Sequence, residues 1–144
     1  MPNTDEARRL LDRLVAYPTV SRDSNIPLID FVESYLEGQG IASVRVPNED
    51  GTKEALYAHV GPEIDGGVVL SGHTDVVPVD GQQWSSDPFV LAQRDSRLYG
   101  RGCADMKGFV AAALHLAPEF AQRGLRQPLH LALSYDEEVG CIGV

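Results

Sequence analysis

Val68-Val69-Leu70-Ser71-Gly72-His73-Thr74-Asp75-Val76 is the stretch from which the rest of the chain can be read. Val68, Val69 and Leu70 follow the turn pair Gly66-Gly67, a pattern expected of a short strand covered on both faces. Beyond them His73 and Asp75 stand two apart, which in extended backbone puts both side chains on one face. One ring nitrogen of His73 is then available to a metal, while the Asp75 carboxylate accepts a hydrogen bond from the other and fixes the tautomer. Such a pair alone is a weak signal. Its weight comes from two acidic groups downstream, Asp105 and Asp136-Glu137-Glu138, each just after or between apolar segments.

Composition narrows the possibilities. A chain of 144 residues, 43% hydrophobic and 23% charged, is long enough for one cored domain and reads as a globular protein. The net charge of -9, from 12 basic and 21 acidic residues, argues against a nucleic-acid partner, since phosphate neutralisation needs a basic surface. There is no apolar run of membrane-spanning length and no signal-peptide pattern at Met1 to Glu6, so no membrane partner and a cytoplasmic location are expected. Cys103 and Cys141 are too few for a disulfide scaffold and are expected as free, buried thiols.

The remaining elements follow from period and punctuation. Thr4 is placed to cap a first helix with Asp5 and Glu6 in its opening turn and an apolar stripe of Leu10, Leu11, Leu14 and Val15. Pro27 opens a second helix, closed by Gly38 and Gly40. Strands are expected over Ile41 to Val46 and Leu56 to Val60, with a hairpin around Asp95-Ser96. Phe109 to Leu114 reads as a buried helix that Pro118 ends or kinks, and Leu129, Leu131 and Leu133 alternate as a last strand. Trp84, in the aperiodic stretch between Pro78 and Phe89, belongs to a surface loop. Strands interleaved with helices predict an α/β fold, a three-layer α/β/α sandwich around a mixed, mostly parallel sheet, with its site at the carboxyl ends of the strands.

At that edge one imidazole and several carboxylates suit divalent ions such as zinc, cobalt or manganese. His73 would hold one ion and Glu138 another, and Asp105, with two oxygens, could bridge them. Glu137, next to Glu138, points elsewhere in extended chain and is free to act as general base on the attacking water. Taken singly, Asp105 or Glu138 reads as a solvated loop acid, and His59, His115 and His130 read as core or surface residues.

Four linked motifs add to this: residues 71–81, Trp84 with Asp87-Pro88-Phe89, residues 98–108, and Asp136-Glu137-Glu138-Val139-Gly140-Cys141. Together and in order, they resemble the dinuclear zinc aminoacylase and carboxypeptidase family. That resemblance implies two divalent metal ions, zinc or alternatively cobalt, with His73 on the first, Glu138 on the second and Asp105 bridging. It implies Glu137 as the base and Asp75 as the residue orienting His73. It further implies hydrolysis of a small N-acyl amino acid, with release of acetate and ornithine in arginine biosynthesis. Family members acting on succinyl-diaminopimelate or dipeptides, or a non-catalytic module, are the alternatives. His73 with Asp105 and Asp105 with Glu138 give each ion two protein ligands, where a catalytic zinc typically has three. Residues 1–144 are therefore expected to be the N-terminal part of a catalytic domain. In the family the other ligands and a dimerisation domain lie further on, so the full-length enzyme is expected as a homodimer and this segment alone as inactive.

Overall fold

The computed structural model describes residues 4–143. The order is α1 (Thr4–Val15), α2 (Ile26–Gly38), β1 (Ser43–Pro47), β2 (Glu54–Val60), β3 (Val68–His73), β4 (Ala92–Arg94), β5 (Arg97–Tyr99), α3 (Gly108–Gln122) and β6 (Leu129–Ser134). An irregular turn, Cys103–Lys107, precedes α3. Thr4 already lies inside α1, so the cap position before it falls outside the described residues. Pro27 sits in the first turn of α2, as its fixed φ favours. Pro118 does not end α3, which continues to Gln122; tertiary packing of Val110, Ala111, Leu114 and Ala117 outweighs the lost hydrogen bond.

The main sheet has the order β1-β2-β6-β3, and β4 and β5 form a separate hairpin. The α/β class and the mixed sheet match expectation, but the share of parallel pairing does not: β1-β2 and β2-β6 are antiparallel and β3-β6 alone is parallel. The reason is connectivity. Residues 48–53 form a turn too short for anything but an antiparallel return, whereas the link from β3 to β6 contains α3 and can cross over.

One face of the sheet carries the core. Leu56, Ala58 and Val60 of β2 register against Leu133, Leu131 and Leu129 of β6, and all six pack in one cluster with residues of α1, α2 and α3. Arg45 of β1 reaches across to α2, pairing with Asp30 at 2.7 Å and Glu33 at 3.0 Å, and also with Glu54. Among the described residues no helix covers the other face, so the expected third layer is not seen there. Val44, Val46, Tyr57 and Val69 are exposed on it, and Tyr57, His59 and His130 stack in a row. The strand expected to be covered on both faces thus lies at the edge of the sheet among the described residues, with Val68 59% and Val69 57% exposed. Only its end, at Gly72 and His73, is buried, with Gly72 packed beneath Met106, Phe109 and Val110.

Candidate metal centre

β3 and β6 run parallel and end together, with His73 paired to Ser134, so whatever follows each strand emerges at one rim. His73 is 4% exposed there. Its Nε2 lies 3.1 Å from Asp105 Oδ1 and 3.6 Å from Glu137 Oε2. Donor atoms of His73, Glu137 and Glu138 all fall within 4.8 Å of one another. Three segments distant in sequence thus meet at His73: the Glu137 and Glu138 carboxylates cluster with it, and Asp105 approaches its Nε2 without joining the same close set.

The placement of Glu137 differs from expectation. The chain after β6 is not extended: Asp136 has φ 56° and a turn follows, closed by Gly140 and Cys141 N–H groups on the Glu137 carbonyl at 3.2 and 3.1 Å. The turn brings Glu137 and Glu138 to the same side, where extended backbone would have separated them. Cys141 is exposed rather than buried because this turn lifts it off the core, and its Sγ lies 3.7 Å from Glu137 Oε1.

Asp75 has a wider set of contacts than the two-residue spacing suggested. His73 Nδ1 lies 2.9 Å from the backbone carbonyl of Asp75 and 3.4 Å from its Oδ1. The ring is held mainly by the carbonyl. The Asp75 carboxylate, 2% exposed, accepts the backbone N–H of Glu137 at 3.1 Å, that of Glu138 at 3.2 Å and the Ser21 hydroxyl at 2.5 Å. It therefore organises the acidic turn as well as facing the imidazole.

Electrostatics at the rim favour a cation. Burial pulls the His73 pKa down, but the hydrogen bonds to Asp105 and to the Asp75 carbonyl, with the Asp75 and Glu137 charges, leave it raised above the ordinary imidazole value. Burial and then the Asp105 charge raise Glu138, with His73 opposing. A positive charge at Nε2, whether a proton or a metal ion, is what these carboxylates stabilise. Borderline nitrogen and hard oxygen donors with Nε2 aimed inward fit a divalent ion. His59, His115 and His130 lie away from this set.

The turn bearing Asp105 is fixed from both sides. Gly102, at φ 80°, lies so close to β3's continuation that a Cβ would sit 2.7 Å from Val76 Cγ1. The peptide between Asp105 and Met106 is cis. Lys107, 1% exposed, donates from Nζ to the carbonyls of Leu14 at 2.9 Å and Tyr17 at 2.7 Å, tying the turn to the end of α1. Burial pushes the Lys107 pKa down to about 7, against the pull of Cys103 and Asp75. Between about pH 7 and the free-lysine value near 10.4, the unfolded chain holds a proton that the folded chain lacks, so stability rises with pH by at most ~1.4 kcal/mol per unit. In Lys107→Met that rise should flatten in urea unfolding followed across the window. Parallel curves for the two proteins would assign the titration elsewhere.

Arg101 stacks over Trp84 at 5.1 Å and donates to Gln82 at 2.5 Å, so the Pro78 to Phe89 loop stands beside the rim. A cavity of about 230 Å³ opens there between Val77, Arg101, Asp105 and Glu138. A larger hollow of about 700 Å³, by His59 and Gly124, contains none of the clustered donors. Sequence reasoning gave no role to Ser21 or Lys53, and none to Asp136 beyond its place in the acidic run; no period or motif marks the first two.

The model of peptidase family M20/M25/M40 matches residues 69–144. The chain is 36% identical over 142 residues to the acetylornithine deacetylase of Pasteurella multocida, and 41% identical over 141 residues to that of Myxococcus xanthus. Each alignment covers 94% of this chain, which spans 37% and 36% of those relatives. Among solved structures, human carnosine dipeptidase 1 superimposes with a TM-score of 0.82 at 27% identity, covering 96% of this chain and 33% of that one. An M20 family metallo-carboxypeptidase from Sulfolobus solfataricus shares the fold, with a TM-score of 0.83 at 23% identity, over 96% of this chain and 32% of its own.

Proposed function

Because this chain belongs to peptidase family M20/M25/M40, we propose that it is the N-terminal part of the catalytic domain of a cytoplasmic, metal-dependent amidohydrolase that removes the acetyl group from N-acetylornithine. The observation that carries this reading is the meeting of His73, Glu137 and Glu138 within 4.8 Å, with Asp105 at 3.1 Å from the same imidazole nitrogen. The choice of substrate rests on the likeness to the two deacetylases.

In this mechanism His73, Asp105 and Glu138 would hold two divalent ions, for which zinc suits the mixed nitrogen and oxygen donors and cobalt is the alternative. Bound ions would polarise the acyl carbonyl and make water easier to deprotonate. Glu137 takes the proton from the attacking water on its carboxylate and returns it to the departing amine. The Asp75 carbonyl and carboxylate hold His73 Nδ1, so that Nε2 would be the ring nitrogen available as a ligand. Full-length protein is expected to act as a homodimer on a small substrate, supplying ornithine and acetate.

Substrate preference tests this. The full-length protein should hydrolyse N-acetylornithine with kcat/KM at least about tenfold above that for N-succinyl-diaminopimelate or a dipeptide, a margin worth ~1.4 kcal/mol of differential transition-state binding. Preference for either of the others would move the protein to a different activity within the same family.

A further inference from the structure

We propose that Ser21 and Lys53 are positioning residues of the metal centre, which together hold the turn that presents Glu137 and Glu138. Their effect on metal rests on the reading of that turn as part of a metal site; their effect on the turn does not.

Ser21 lies in the link between α1 and α2 and is 5% exposed. That link runs beside the continuation of β3: Val76 N–H donates to the Thr19 carbonyl at 2.9 Å, and Ser21 N–H to the Val76 carbonyl at 3.2 Å. The Ser21 hydroxyl is thereby aimed at Asp75 Oδ2, the oxygen that also accepts the Glu138 N–H. Lys53 reaches the same place from the turn between β1 and β2. Its Nζ donates to the Ser21 carbonyl and, at 2.5 Å, to Asp136 Oδ1. Both partners of this ion pair are largely buried, at 14% and 11% side-chain exposure.

The two contacts act on one object. Asp136 has φ 56°, a left-handed conformation that costs a non-glycine residue energy and persists only where the surroundings impose it. Lys53 imposes it by fixing the side chain of that residue, and Ser21 fixes the carboxylate that grips the next two backbone amides. Lys53 also places an ammonium behind a run of carboxylates that repel one another. Without it, Asp136 would be a largely buried carboxylate lacking its counter-charge.

Amide hydrogen exchange by NMR in the full-length protein tests the assignment directly. In Ser21→Ala and in Lys53→Met the Glu137 and Glu138 amides should exchange at least about tenfold faster, while the Leu131 amide inside β6 keeps its protection and Lys53→Arg restores the turn. Unchanged exchange at Glu137 and Glu138, or acceleration spread evenly along β6, would overturn the assignment. If Lys53→Met fails to fold, Ser21→Ala, which removes a single oxygen, decides by the same criterion. Cobalt(II) titration of the same proteins separates the two layers. Wild-type uptake that weakens about tenfold in both variants supports positioning toward metal, and uptake unchanged in the variants overturns it. A wild type that takes up no cobalt would remove the metal reading, while exchange would still decide whether Ser21 and Lys53 hold the turn.

Discussion

Glu137→Gln in the full-length enzyme is expected to leave the metal content near normal and to lower turnover by ~10²- to 10⁴-fold, the usual loss when a positioned acid-base group is removed. The amide keeps the shape of the side chain and an oxygen, so the turn on the Glu137 carbonyl and the grip of Asp75 on its N–H are untouched. What it cannot do is take a proton from water. The prediction is sharp because Glu137 lies as close to the common point as His73 and Glu138 do. Geometry alone would allow it to be a ligand. Metal analysis beside kcat separates the roles: metal lost in proportion to activity would make Glu137 a ligand and send the search for the base elsewhere.

Asp75→Asn should reduce affinity for the first metal ion by ~10- to 100-fold and lower the rate with it, as loss of a partner behind a metal-binding histidine does. The Asp75 carboxylate faces His73 Nδ1 on one side and accepts three donors on the other: the Ser21 hydroxyl and the Glu137 and Glu138 amides. An amide offers one oxygen and sets an NH₂ group against a donor, so one buried partner is left unsatisfied at a cost of ~1 to 3 kcal/mol. Chelator competition reads the affinity and urea unfolding the stability. Unaltered affinity would mean that the backbone carbonyl of Asp75, at 2.9 Å from Nδ1, orients the ring by itself.

Much of this arrangement is legible from the chain. The alternation of Leu129, Leu131 and Leu133 marks both the last strand and the face it buries, and parallel ends at His73 and Ser134 place the acidic run beside the imidazole. The candidate site residues could be singled out because His73, Asp105, Glu137 and Glu138 are chemically conspicuous and stand beside strand and turn signals. Other features leave no such trace. Whether Val68 and Val69 are covered depends on strand order, which apolar runs do not encode. The side on which Glu137 emerges depends on one left-handed residue, Asp136, held by a lysine 83 positions earlier. Ser21 looks like any loop serine until β3's continuation is laid beside it. Pro118 shows the converse, a strong local signal overridden by packing of the same helix against the core.

The sheet face that no helix covers among the described residues bears on the handling of this 144-residue chain as much as on architecture. It displays Val44, Val46, Tyr57 and Val69 on a molecule whose net charge is -9, so dispersal in solution depends on like-charge repulsion outweighing attraction between greasy patches. Added electrolyte shortens the range of that repulsion to ~10 Å at 0.1 M and ~3 Å at 1 M, while leaving the valines as sticky as before. High-salt buffers, a common remedy for a troublesome acidic protein, would work against this one.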